Sequence, residues 1–311
     1  MKVTIGIPLY NAARWIEQSV ESCLSQNWLD IEVIVVDDGS TDASLQLLQK
    51  YKDRITLVCQ KQRGSNFARN RILALASGQW IQFLDADDYL LPDKISKQLE
   101  SEESRGSDVI FSPVTIEAHN GGSISRQVFP SANEQDLYLR WINWELSQTG
   151  TLLWKKNALL GIGGWNVQYQ CCQDNEICFR ALKSKLKFSF VDHPGAVYRV
   201  WSNTTISNRN PALVAKVRTE LLEEMLTWLD RRGELKAVHA NAASTICFRL
   251  ARSIAKNDYD EGGEYFKKWR KKGLIRLDTA DECSAKFRFM TTLLGFKTTE
   301  KLSSWVNRHR N

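Results

Sequence analysis

The run Ile31-Glu32-Val33-Ile34-Val35-Val36 limits what this chain can fold into more than any other segment. It is almost unbroken in β-branched apolar residues and leads directly into Asp37-Asp38-Gly39-Ser40-Thr41-Asp42. A strand of that composition has to be covered on both faces, as in a mainly parallel sheet flanked by helices, so the expected class is α/β. Gly39 permits a tight turn, and Ser40, Thr41 or Asp42 can cap a helix starting near Ala43. Capping does not account for Asp37 and Asp38, which precede the glycine at the carboxyl end of the strand. That end is where open α/β sheets bind ligands.

Two further strands repeat the pattern. Val3-Thr4-Ile5-Gly6-Ile7 leads into Pro8-Leu9-Tyr10-Asn11, with Asn11 placed to cap a helix whose stripe is Trp15, Ile16, Val20, Cys23 and Leu24. Trp80-Ile81-Gln82-Phe83-Leu84 leads into Asp85-Ala86-Asp87-Asp88. Clustered carboxylates at the mouth of a buried strand require a positive partner. The Asp-x-Asp spacing turns two of them toward one cation, and hard oxygen ligands suit Mg²⁺ or Mn²⁺, which in turn suit a diphosphate. Taken alone, such a tetrad reads more readily as a solvated turn. With three ligand-capable strand ends at one edge of a parallel sheet, the pattern points to a nucleotide-diphosphate site. Residues 55–59 read as a further strand, and 67–76 as a helix closed by Gly78.

In order, Ile5-Gly6-Ile7-Pro8-Leu9-Tyr10-Asn11, the VVDDGSTD segment, Gly64 with Ala68-Arg69-Asn70, and the segment ending in DADD resemble the family 2 glycosyltransferases. The resemblance covers about the first two thirds of the chain. It implies a GT-A fold that binds a nucleotide sugar. By it, Pro8, Tyr10 and Asp38 contact the nucleotide base, Asp85 holds the ribose, and Asp87 ligates the metal bridging the diphosphate. Asn11, Asp37, Arg69 and Ala86 complete the expected donor site. Tyr198-Arg199-Val200-Trp201-Ser202-Asn203 is similar to the segment that closes over the diphosphate, making Arg199 and Ser202 candidate phosphate contacts. The family often has His where Trp201 stands.

Downstream, Gly163-Gly164-Trp165-Asn166 reads as a turn, followed by Gln173-Asp174-Asn175-Glu176 and a helical run containing Arg180. Asp174 could serve only as the helix N-cap. The resemblance instead makes it the general base, with Arg180 matching the family's arginine. Gln173 replaces the usual Glu, which removes a charge that would tune Asp174. Glu176 is the second candidate base. With Asp174 as base and a nucleoside diphosphate leaving, a single in-line displacement inverts the anomeric centre. Trp141, Trp144, Trp154 and Trp165 cluster between the two constellations. Core packing explains most of them, and Trp165 is the one expected to face an acceptor sugar.

After Pro211 the chain reads as helices over 214–229, 240–254, 259–269 and 298–306, which divides it into regions 1–210 and 211–311. Charge divides with it: 22 basic against 23 acidic residues in the first region, and 20 against 13 in the second. The run Lys267-Lys268-Trp269-Arg270-Lys271-Lys272 suits either a solvated face or an anionic membrane surface, and no motif accompanies it that would favour nucleic acid. No run of eighteen apolar residues is present, and Met1-Lys2 enters a strand at once, so neither a membrane span nor a signal peptide is expected. Seven cysteines, including the vicinal Cys171-Cys172, lack zinc-site spacing and suit a reducing cytoplasm. His193 is expected at the surface. The combined expectation is a metal-dependent, inverting, cytoplasmic glycosyltransferase using a UDP-sugar to build a cell-surface polysaccharide or glycolipid. A nucleotidyltransferase would want a glycine- and lysine-rich phosphate loop after the first strand, where Pro8-Leu9-Tyr10-Asn11 stands. A catalytically silent relative is the other alternative.

Overall fold

A computed structural model describes residues 1–120, 123–129, 135–146, 148–201, 210–278 and 283–308. Contacts divide the chain into two compact units, Met1–Gln135 with Trp144–Ser202, and Asp136–Asn143 with Asn203–Asn311. The short segment 136–143 therefore packs with the helical unit, although it lies inside the first region of the sequence division.

The first unit is built on β1 (Val3–Leu9), α1 (Ile16–Leu24), β2 (Ile31–Asp37), α2 (Ser44–Leu48), β3 (Thr56–Cys59), α3 (Ser65–Leu75) and β4 (Trp80–Phe83). β1 pairs in parallel with both β2 and β4, and β2 with β3. Residues 33–37 of β2 are all buried, as a strand covered on both faces requires. Helix α3 lies directly on β1, where a Cβ added at Gly6 would sit 2.2 Å from Ile72 Cγ2, so that position takes only glycine. Register sets Leu9 opposite Asp37 and Gly6 opposite Phe83, which brings all three polar strand ends to one edge.

Next come β5 (Tyr89–Leu90), α4 (Lys94–Glu100), β6 (Val109–Phe111), β7 (Val114–Asn120) and β8 (Ser123–Phe129). Within the helical unit lies α5 (Leu137–Ile142), and β9 (Leu153–Lys155), α6 (Lys156–Gly161), α7 (Gln173–Lys183), β10 (Phe188–Phe190) and β11 (Ala196–Val200) complete the first unit. The main sheet runs β10-β6-β9-β4-β1-β2-β3, with β9 antiparallel between β4 and β6. A second sheet, β5-β11-β7-β8, carries the segment following the acidic turn.

Three local expectations change. Asn11 does not cap α1, which starts after Trp15 with no side-chain cap. It takes a left-handed backbone (φ 48°), and its Oδ1 accepts from the Thr41 N–H at 2.8 Å. Nor do Ser40 to Asp42 cap α2 in the usual way, because its N-cap is Ala43. Ser40 Oγ and Asp42 Oδ2 instead accept from the backbone N–H groups of Asn11 and Ala13, tying the first two strand ends together. Gly78 does not close α3, whose C-cap is Ala76. It lets the chain pass β1, since a Cβ there would lie 2.5 Å from Thr4 N.

The helical unit comprises α5 with α8 (Pro211–Arg231), α9 (Ala237–Asn257), α10 (Tyr259–Lys271) and α11 (Ala285–Arg308). Asn210 caps α8, with Pro211 at the first helical position. Asp136 caps α5 and also accepts from His239 Nε2 at 2.9 Å. α9 and α10 approach closely at Gly262, and Phe266 stacks on Phe296 with ring centroids 4.3 Å apart. No helix among the described residues is long and apolar enough to cross a membrane.

Candidate active site

Each acidic strand end does two jobs. Asp37 is 1% exposed and its carboxylate accepts from the N–H groups of Gly39 and Ser40, so it builds its own turn. The Asp38 carboxylate, 3% exposed, accepts from Gln60 Nε2 (2.7 Å), Arg63 N (2.9 Å) and Gly64 N (2.7 Å). It is thus committed to the loop after β3, rather than open for the base contact expected of it. Pro8 is half-buried and Tyr10, just past the end of β1, is 46% exposed, which leaves an aromatic side chain open to solvent there.

The tetrad after β4 is a tight turn in which the Asp88 N–H donates to the Asp85 carbonyl. Ala86 is buried, and its carbonyl, like that of Asp88, accepts from Ser19 Oγ. Asp85 keeps a 31% exposed side chain and receives Arg69 Nη2 at 2.7 Å. Burial and the neighbouring Asp85 push the Asp87 carboxyl above the usual carboxylate range. Burial together with Asp87 and Asp85 pushes Asp88 well above it. Trp201 Nε1 donates to Asp87 Oδ2 at 3.0 Å, and Trp201 has no lone pair with which to hold a cation. Among the described residues no three His, Cys, Asp or Glu side chains gather to hold a metal by themselves.

Asp174 lies in the first turn of α7. The N-cap is Cys172 (φ 56°), so the purely capping reading of Asp174 fails. Thr149 Oγ1 donates to Asp174 Oδ1 at 2.7 Å. Burial pushes the Asp174 carboxyl up to about 6, with Arg69 pulling down and Asp85 pushing further up. Those influences place the downstream acid beside the Asp85–Arg69 pair. Tyr198 registers the same gathering, because burial and the charges of Asp88, Asp85, Asp87 and Asp174 raise its phenol to about 12. A carboxylate near 6, half-buried and next to an acidic turn, is poised to accept a proton close to neutral pH.

Three expected site residues are structural. Arg199 is 2% exposed and lies beneath the acidic turn. Its Nη1 donates to the Asp87 carbonyl at 2.7 Å, its Nε lies 3.5 Å from Glu117 Oε1, and the guanidinium sits between the Trp15 and Tyr89 rings at 4.7 and 4.4 Å. It buttresses the turn instead of meeting a phosphate. Trp165 is 2% exposed, edge-on to Phe83 at 5.3 Å and under the Arg69 guanidinium at 4.6 Å, so it presents no face to an acceptor. Glu176 is 5% exposed and pairs with Arg180, which also donates to the Gly164 carbonyl at 2.7 Å. That arrangement removes Glu176 as a base and gives Arg180 the task of holding the glycine turn. Ser202 lies outside the described residues. His193, expected at the surface, is half-buried and pairs with Asp93 at 3.0 Å.

Thr149, Gln60 and Glu117 were not legible as site residues. Thr149 meets Asp174, Gln60 meets Asp38 and Glu117 meets Arg199 across 22 residues or more, and none carries a local motif. Gln82, fully buried on β4, belongs with them, because its Nε2 donates to the carbonyls of Gly150 (3.0 Å) and Thr149 (3.4 Å). A cavity of about 530 Å³ in the helical unit, bordered by Lys216, Tyr265, Lys268 and Trp269, contains none of these residues.

Among curated proteins, the chain is 40% identical over 118 residues to the UDP-Glc:alpha-D-GlcNAc-diphosphoundecaprenol beta-1,3-glucosyltransferase WfaP of Escherichia coli, spanning 37% of this chain and 47% of that protein. It is 34% identical over 124 residues to the succinoglycan biosynthesis protein ExoO of Rhizobium meliloti, 39% of this chain and 36% of that one. The matches to curated relatives of this kind span about half of the relative's length or less. Among solved structures, S. aureus TarS 1-349 superposes with a TM-score of 0.64 at 17% identity, covering 98% of this chain and 92% of the other. The mannosyltransferase PcManGT of Pyrobaculum calidifontis, in complex with GDP-Man and Mn²⁺, gives 0.58 at 16%, covering 97% and 83%. These neighbours show a GT-A fold. The family described as glycosyl transferase family 2 matches residues 4–165, from β1 through both acidic strand ends to the Gly163-Gly164-Trp165 turn. With more than half of its length so matched, this chain belongs to glycosyl transferase family 2.

Proposed function

We propose that the protein transfers a sugar from a nucleotide-diphosphate sugar, most simply a UDP-sugar, to an acceptor hydroxyl with inversion, in the synthesis of a cell-surface polysaccharide or glycolipid. The observation that carries this is the Asp174 carboxyl. It is held by Thr149, raised to about 6, and set against the Asp85–Arg69 pair at the sheet edge where donors bind. TarS structures with UDP and UDP-GlcNAc, the glucosyltransferase WfaP and the succinoglycan biosynthesis protein ExoO support the donor and product classes.

The residues divide the work. Tyr10 and Pro8 border the base, and the Gln60–Gly64 loop, anchored by Asp38, frames it. Asp85, fixed by Arg69, faces the ribose. Asp87 fits a divalent cation on the evidence of its own carboxyl, which burial and Asp85 have left with a proton affinity that a positive charge would relieve. Asp87 would be the protein's ligand, with diphosphate oxygens and waters filling the remaining positions, as Mg²⁺ and Mn²⁺ tolerate. When bound, such a cation neutralises charge on the departing diphosphate. Asp174 takes the proton from the acceptor hydroxyl as its oxygen attacks the anomeric carbon opposite the leaving group. Gln173, whose Nε2 donates to Ser65 Oγ at 3.2 Å, puts a neutral side chain next to Asp174 in the sequence.

The exposed lysines at 267, 268, 271 and 272 in the basic helical unit support peripheral contact with an anionic membrane at its cytoplasmic face. The test of the catalytic reading is Asp174→Asn, which keeps size and one acceptor oxygen for Thr149. Donor affinity should be retained while transfer falls by about 10²–10⁴-fold. A variant that is fully active per folded molecule would place the base elsewhere.

A further inference from the structure

The last helix is built as two stretches, 285–294 and 296–308, meeting at Gly295 (φ 76°, ψ 160°). One side of it is core. Phe296 stacks on Phe266, Phe287 and Phe296 both meet Phe248, and Thr291 and Thr299 are buried. Outside that packing, the stretch before the break leaves Phe289 and Leu293 each 65% exposed and Leu294 49%, and the stretch after it leaves Leu302 40% and Trp305 61%. Five large apolar side chains open to solvent on one element are unusual, because single exposed apolar residues are common but clustered ones mark interaction surfaces.

Charge identifies the occupant. Residues 283–308 contain Lys286, Arg288, Lys297, Lys301 and Arg308 against the single acid Glu300. Glu300 is 5% exposed and bonded to Arg252, so it adds no negative charge to the outer face. Lys286 and Lys301 are exposed alongside the apolar set. Lys297 pairs with the exposed Asp260, which leaves Lys286 and Lys301 as the cations beside the apolar residues, and such a set fits a surface that is both apolar and anionic.

We propose that α11 docks in the plane of an anionic lipid bilayer, with Phe289, Leu293, Leu302 and Trp305 entering the acyl boundary and Lys286 and Lys301 meeting headgroup phosphates. This rests on the reading that the helical unit meets an anionic membrane, and adds the element that enters it. Charge alone gives attraction that salt removes, whereas apolar insertion gives binding that persists in salt.

The experiment is sedimentation of the full chain with vesicles of phosphatidylcholine alone or mixed with phosphatidylglycerol, at low and high salt. Wild type should partition onto the mixed vesicles and retain part of that binding in high salt. The triple substitution Phe289→Ser, Leu293→Ser and Leu302→Ser, all at exposed positions, should lower partition by about a hundredfold at either salt. Neutralising Lys267, Lys268, Lys271 and Lys272 to Gln should lower only the salt-sensitive part. Binding that survives the Gln variant but not the Ser variant would remove the basic run from the reading and leave α11 standing. Quenching of Trp305 by brominated acyl chains, read as the difference between wild type and Trp305→Phe, reports insertion without any change to the apolar set. Partition of the Ser variant equal to wild type, or absence of Trp305 quenching, would overturn the proposal. So would a change in oligomeric state with vesicle binding unaltered, which would make the face a contact between copies.

Discussion

Asp38→Asn separates a residue that reads the base from one that shapes the site around it. The carboxylate accepts three hydrogen bonds, two on Oδ1 and one on Oδ2, all from the loop 60–64 and all in a setting where the side chain is 3% exposed. An amide whose oxygen takes the Oδ1 position keeps Gln60 and Arg63 but turns an NH₂ toward the Gly64 N–H, which lies 2.7 Å from Oδ2 in the native protein. One charge-assisted bond is lost, a buried donor loses its acceptor, and the two surviving bonds weaken, for a combined cost of about 3 kcal/mol. For a unit of roughly two hundred residues that lowers the melting midpoint by about 6–12 °C. Affinity for uridine, guanosine and thymidine diphosphates, measured by titration calorimetry below the melting range, should fall by a similar factor for all three, because the loop moves and not the recognising edge. A midpoint within about 2 °C of wild type, combined with unequal losses among the three bases, would refute this and return Asp38 to direct contact with the base.

The pH–rate profile of transfer should have an acidic limb near pH 6, because the Asp174 carboxylate forms as pH rises through its raised pKa. Gln173→Glu should shift that limb upward through like-charge repulsion, and an unmoved limb would show that position 173 does not tune the base. Asp87→Ala should abolish the Mn²⁺-dependent part of nucleoside diphosphate binding while the melting midpoint holds or rises, since a carboxyl disfavoured by burial and Asp85 is removed. Unchanged metal-dependent affinity would exclude Asp87 as ligand. Trp165→Ala should cost about 3–5 kcal/mol in urea unfolding. Trp165→Phe should leave the acceptor KM unaltered, whereas a raised KM in that variant would restore Trp165 as an acceptor contact.

Strand identity and the convergence of the acidic ends were legible because they follow from local rules. A continuous Val/Ile run must be covered on both faces, and parallel register then sends Leu9, Asp37 and the residues after Phe83 to one edge. The helix positions after Pro211 were legible from periodicity, although α11 extends back to Ala285 past a glycine that sequence alone gave no reason to cross. Strand β9 was not legible, since three residues between longer elements carry no period. The functional candidates failed where burial decided. Arg199 and Trp165 have chemistry suited to a phosphate and a sugar, but Arg199 is held beneath the acidic turn and Trp165 is buried between Phe83 and Arg69. Residue type says what a side chain can bind, and only packing says which way it faces.

Gln82 bears on how such an enzyme could be re-engineered. Its single buried amide joins the strand that delivers the acidic turn to the Thr149–Gly150 carbonyls, one residue of which holds Asp174. The two halves are therefore not interchangeable cassettes. A chimera that imports the segment carrying Asp174 from a relative inherits a socket shaped for that relative's residue at position 82. Whether the graft works would depend on a side chain that touches neither substrate.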